Sequence, residues 1–202
     1  MLFHIDYGIV ASLVFIFGVT LFMLRKCGDD LAKFSRRERV GAARNVAFYA
    51  VGMLVATMII MPRLHARSAL GDVASLVGSV LAMDLVYFVA HFASHKLRYL
   101  KRSHLFHHKK ITTGRLHVLV QGKFDFAGPV VLIVLIPLLF GMSAHMYIAW
   151  LTLNQIGALI GHDGPGWHMT HHKVGDVNYG WFYLVDRVVG TYQRTRQDQH
   201  AG

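Results

Sequence analysis

Four long apolar runs, separated by short basic stretches, constrain this chain more than any other feature. Residues 7–24, YGIVASLVFIFGVTLFML, carry no charge and are long enough to cross a bilayer as a helix. No basic segment precedes them, so they read as a span and not as a cleaved signal peptide. Residues 46–62, VAFYAVGMLVATMIIMP, form a second run that stops at Pro62. Residues 69–95 form a third, with Asp84 inside it. The fourth, residues 126–161, is too long for one untilted span. There GMSAH, residues 141–145, is expected to turn the chain between two helices, with a re-entrant hairpin around Pro137 as the alternative. The expected fold is an all-α integral membrane protein with four to five transmembrane helices, a single domain over residues 1–202.

The basic residues orient this arrangement. With the N-terminus outside, the loop 25–45, the segment 96–125 and the tail after His162 share one side. Of the 21 Lys and Arg, only Arg63 and Arg67 then lie opposite. Cytoplasmic loops carry such an excess, so the shared side is expected to be cytoplasmic. A net charge of +10 alone fits nucleic acid, anionic lipid or an acidic partner, and the apolar runs favour the membrane over nucleic acid.

Every histidine cluster falls on that same side. HFASH places His91 and His95 four apart, and HLFHH places His104 with His107 and His108. HMTHH repeats the spacing with His168, His171 and His172. Residues three and four apart share a helix face, so each cluster aims its imidazoles one way. His162, in GHDG, is a plausible ninth member. His4, His65, His145 and His200 read as ordinary packed or hydrogen-bonded side chains, and His117 is left undecided. A merely polar surface would more cheaply use Lys, Glu or Ser, so the clusters read as metal ligands.

The donor set narrows the site. Cys27 is the one cysteine, which excludes a thiolate cage. No HExxH zinc motif is present, and Glu38 is the one glutamate, too few for a ferritin-like carboxylate centre. Eight or nine nitrogens are too many for one ion; two ions with four or five ligands each fit. Imidazole suits iron, zinc, copper or nickel.

HxxxH, HxxHH and a late HxxHH, followed by NYGWFYLVDRVVGTY, resemble the sterol desaturase and fatty acid hydroxylase superfamily, with the tail closest to C5-sterol-desaturase-like members. The resemblance covers about residues 84–193. It implies a membrane-bound, O2-dependent oxidoreductase that hydroxylates or desaturates a lipid. It implies two Fe ions, exchangeable for zinc on purification, with ligands His91, His95, His104, His107, His108, His162, His168, His171 and His172. It also implies a membrane lipid as substrate and a separate electron donor of cytochrome or ferredoxin type, since the chain holds no CxxCH haem site. Asp84, Asp163, Asn178 and Asp186 are the candidates to orient imidazole N–H groups from behind. The tail matches at Asn178, Tyr179, Gly180, Asp186, Gly190 and Thr191, whereas Val185 stands where the family has tryptophan and HVLV where it often has His-Pro-x-Glu. A carotenoid ring hydroxylase is the nearest alternative, and a membrane metal or haem transport protein is the alternative of another class.

Overall fold

The computed structural model describes residues 32–60, 64, 67–109, 114–162 and 167–194, with the isolated positions 18, 21 and 25. The first apolar run therefore lies almost wholly outside the described residues, as do Pro62, Asp163, His4, His65 and His200. The described secondary structure is helical: α1 (Arg36–Ile60), α2 (Ala69–Lys96), α3 (Arg98–His107), a 3-10 turn (Arg115–Leu119), α4 (Lys123–Leu139), α5 (Ala144–Gly161), α6 (Trp167–Val174) and α7 (Leu184–Val189).

α1 begins inside the stretch expected to be a polar loop. Ser35, Arg36, Arg37 and Glu38 form a capping box: the Ser35 amide donates to Glu38 Oε2 at 2.7 Å and the Glu38 amide to Ser35 Oγ at 3.4 Å. The one glutamate of the chain thus starts a helix. Farther along, the buried Asn45 donates through Nδ2 to the carbonyls of Leu119 and Gln121, at 2.8 and 3.1 Å. This fixes the 3-10 turn against α1.

α2 is built inside out. Its buried residues are Ser75, Ser79, Met83, Asp84, His91 and Ser94, mostly small or polar. Its exposed stripe is Leu70, Val73, Val77, Leu81, Leu85 and Val89. Large aliphatic side chains facing out and polar ones facing in are the arrangement lipid favours, because tails solvate leucine and only protein satisfies serine or aspartate. At 28 residues α2 is about 42 Å long, more than the roughly 30 Å of a hydrocarbon core. Among the described residues it is the one helix both long and apolar enough to cross a membrane.

Of the four to five expected spans, the described residues show this one. α4 and α5 have 17 and 18 residues, so each reaches only about 26 or 27 Å. They form a hairpin through the turn at Phe140–Ser143, where Gly141 takes φ +59, a conformation that favours glycine. The turn lies within and just before the GMSAH stretch. Trp150 Nε1 donates to the Ile133 carbonyl at 2.8 Å and ties the two helices together. Met53, Met83, Ile133, Ile136, Tyr147 and Trp150 pack between α1, α2, α4 and α5 as the apolar core.

Arg67 settles the course of the hairpin. Its guanidinium donates to the Phe140 carbonyl at 2.8 Å, so the α4–α5 turn lies beside the start of α2. α4 therefore runs away from the end where α2 finishes, and α5 returns to it. The segment 96–122 and the chain after Gly161 meet at one end of the bundle.

Candidate metal centre

At that end nine imidazoles converge in two groups. His91, His95, His104, His108 and His171 form one, and His107, His162, His168 and His172 the other; within each, one nitrogen per ring lies within 4.8 Å of all the rest. α2 supplies His91 and His95, and α3 with the residue after it supplies His104, His107 and His108. His162 caps α5, and α6 supplies His168, His171 and His172. The three members of each HxxHH motif are split between the groups, because residues one apart point about 100° away from each other on a helix.

His104 is the hub of the first group. Its Nε2 lies 3.1 Å from His91 Nε2, 2.8 Å from His95 Nε2 and 2.9 Å from His108 Nε2. His171 Nε2 completes the ring at 3.1 Å from His95 and 3.0 Å from His108. His107 is the hub of the second, with Nε2 at 3.1 Å from both His162 and His172.

The tautomers decide what these contacts mean. His91 Nδ1 faces the Tyr179 carbonyl at 2.8 Å, His171 Nδ1 the Val177 carbonyl at 2.7 Å, and His107 Nδ1 the Val120 carbonyl at 3.1 Å. His162 Nδ1 faces the Ala158 carbonyl at 2.8 Å. A carbonyl can only accept, so each of these Nδ1 atoms carries the proton and the neutral ring leaves Nε2 bare. His104 reaches the same state, its Nδ1 lying 2.9 Å from Asp125 Oδ1. His91 and His104, and likewise His107 and His162, thus aim lone pair at lone pair. That arrangement repels unless a cation lies between. Two nitrogens about 2.1 Å from one ion and at right angles would be about 3.0 Å apart, the spacing seen. The residues fit a metal pair.

Burial keeps the rings neutral. It pushes the pKa of His107, His168 and His171 well below the ordinary histidine value, and neighbouring imidazoles lower each further. His162 is brought down to about 4 and His108 to about 3, again chiefly by burial. In the metal-free protein, therefore, the unfolded chain takes up protons below the ordinary value of 6.5 while the folded one does not. Stability is expected to fall as pH drops from about 6.5 towards 4, by up to about 1.4 kcal/mol per pH unit for each such histidine. Thermal unfolding of metal-stripped protein across that window checks it; a midpoint independent of pH would refute it.

The residues expected to orient the imidazoles have other partners. Asp84 accepts the backbone amides of Phe182 and Val185, the latter at 2.7 Å. Asp186 accepts the amides of Tyr179 and Gly180 and the Thr191 hydroxyl. Asn178, at φ 53, exchanges two hydrogen bonds with the Gln193 backbone. These three hold the tail loop, and the loop presents the Tyr179 carbonyl to His91. Gly180 is required there: a Cβ would lie 2.8 Å from oxygens of both Asp84 and Asp186. Asp163 lies outside the described residues.

Sequence reading missed Asp125, the carboxylate that does meet an imidazole. Its signal was faint, a single acid in KFDF at the mouth of an apolar run. The backbone carbonyls of Val120, Ala158 and Val177 carry no side-chain signal at all. His117 stands outside both groups; its Nε2 meets the His107 carbonyl at 2.7 Å and its ring stacks on His107 at 5.1 Å. His145 is exposed at the opposite end, beside the α4–α5 turn.

An apolar cavity leads to the second group. Val46 and Tyr49 of α1, Val130 and Ile133 of α4 and Leu151 of α5 form its walls, and His162 and His168 line it as well. Asn154 and Gln155 also line it, Asn154 with Nδ2 on the Trp150 carbonyl at 2.8 Å. Tyr87 of α2 lines it too.

The fatty acid hydroxylase family model matches residues 76–191, more than half of the chain and every one of the nine converging histidines. No curated protein and no solved structure matches.

Proposed function

The chain belongs to the fatty acid hydroxylase family, and from that premise we propose that it hydroxylates or desaturates a membrane lipid whose chain lies in the cavity that His162 and His168 line. Enzymes of this family are O2-dependent oxidoreductases, and membership implies a di-iron lipid hydroxylase or desaturase. The observation that carries the reading is the pair of imidazole groups whose proton-free nitrogens face one another. Two irons, when bound, supply the activation of dioxygen for attack on an unactivated C–H bond. His91, His95, His104, His108 and His171 would hold one, and His107, His162, His168 and His172 the other.

The remaining work belongs to the chain itself. The carbonyls behind Nδ1 of His91, His107, His162 and His171, with Asp125 behind His104, keep Nε2 unprotonated and turned inward. The apolar walls exclude water and position one carbon of the chain, which is where selectivity among C–H bonds has to come from. We place the histidine end on the cytoplasmic side, as the basic residues favour, where a separate electron donor can reach the half-buried His95 and His108. The compact grouping at one end speaks against transport, which needs ligands along a path.

Purified protein should contain about two iron atoms per chain. It should give an oxidised lipid, resolved by mass spectrometry of membrane extracts, only when O2 and reductant are both present. One ion or none per chain would sink the dinuclear reading. Zinc alone, with no product after iron loading, would sink the oxygenase reading.

A further inference from the structure

A second cavity lies between α2, α3 and α4 and adjoins the proposed substrate cavity at Tyr87 and Pro129, which line both. Val86 and Ala90 of α2, Leu100 of α3, and Phe124, Gly128 and Val131 of α4 line it, and it reaches inward to His91 and Asp125. Val86 and Val131 are among the exposed large apolar side chains of the two helices, so the cavity opens outward between α2 and α4.

Its rim has a different chemistry. Phe124 is 65% exposed and Tyr99 73%, and their rings meet at 6.3 Å across the starts of α3 and α4. Each aromatic has a basic neighbour in the chain, Arg98 beside Tyr99 and Lys123 beside Phe124. Lys101 and Arg102 follow on α3. All four basic residues are exposed, and none has a salt-bridge partner among the described residues. Exposed aromatic rings beside unpaired cations, at the end of a membrane-length helix, match a headgroup layer better than open water.

We propose that this second cavity is a lipid-binding site of its own, beside the substrate cavity and separated from it by Tyr87 and Pro129. It would take one acyl chain of an anionic phospholipid, with the phosphate held at the rim by Arg98 and Lys123. The occupant follows from two features together: apolar walls accept a hydrocarbon chain, and an unpaired basic rim selects a negative headgroup over a zwitterionic one. An acidic protein would engage the rim but leave the cavity empty. The bound chain would cover the α2–α4 flank of the first histidine group and exclude water from His91 and Asp125.

Gly128 gives a test that spares the fold. A Cβ there meets nothing within 4 Å, and leucine is a better helix residue than glycine. The full-length protein would be reconstituted in nanodiscs of equal phosphatidylcholine and phosphatidylglycerol, extracted into mild detergent and weighed by native mass spectrometry. Wild type should retain one phosphatidylglycerol per chain. Gly128→Leu should lower that retention about tenfold or more by displacing several methylenes, with iron content unchanged. Arg98→Glu combined with Lys123→Glu should remove the preference for phosphatidylglycerol over phosphatidylcholine. Retention unaltered by Gly128→Leu, or a headgroup preference that survives the double reversal, would overturn the proposal. Because the readout is bound lipid and not product, its failure would leave the oxygenase reading standing.

Discussion

Replacing His104 or His107 by alanine is expected to abolish the lipid product and to remove about one of the two irons, each from its own group. The two lie three apart on one turn of α3 yet serve as hubs of different groups. His104 faces three partner nitrogens at 2.8–3.1 Å and His107 faces two at 3.1 Å. Loss of a supporting residue behind a ligand typically costs about 10–100-fold in metal affinity or activity, so loss of a hub ligand should exceed that. His117→Ala tests the distinction, because His117 braces His107 without joining either group. It should weaken iron binding yet leave both ions in place at saturating iron. His145→Ala, exposed at the far end, should change nothing. Iron and protein measured on the same membranes, beside product by mass spectrometry, check the series. Two irons retained in His107→Ala would remove the second group from the site.

Asp84→Ala is expected to release the tail from the bundle while α2 stays inserted. The carboxylate is fully buried and accepts the Phe182 and Val185 amides, so alanine loses two hydrogen bonds to a charged acceptor, each worth about 1.5–3 kcal/mol. Asparagine restores only part, since one of its two terminal atoms is a donor and would face a donor. Gly180→Ala should have the same consequence by a different route, its Cβ driven against both Asp84 and Asp186. In either variant the Tyr179 carbonyl moves and His91 loses the partner that fixes its tautomer. Hydrogen exchange over residues 178–193 should rise steeply, and iron content should fall. Unchanged protection together with unchanged iron would show that the tail is held by something else.

Both outcomes depend on contacts at very different distances along the chain, and that difference marks what could be read in advance. Helical spacing sets which histidines share a face, so HxxxH and the two HxxHH motifs pointed from short-range geometry alone to histidine clusters able to hold metal. All nine expected ligands are the nine that converge. The turn near Gly141 was legible for the same reason, since backbone freedom is a property of the residue itself. The start of α1 was not read, although Ser35 and Glu38 form a recognisable cap, because a run of arginines concealed it.

The partition of the histidines was beyond the sequence. Nothing in HLFHH says that His104 and His108 join one group and His107 the other; the answer depends on where α2, α5 and α6 stand around α3. Asp84 and Asp186 were expected behind imidazoles because buried carboxylates near ligands commonly serve there, yet Asp84 holds the amides of Phe182 and Val185, and Asp186 those of Tyr179 and Gly180 on either side of the carbonyl that meets His91. Backbone donors and acceptors are the same at every residue, so composition cannot show which carbonyl will meet which ring. Chain chemistry by itself determined the helical class, which histidines cluster and the shared end of the bundle. Tertiary packing alone decided the pairing of ligands, their tautomers and the two apolar cavities, because each of those depends on distances between segments that are remote in sequence.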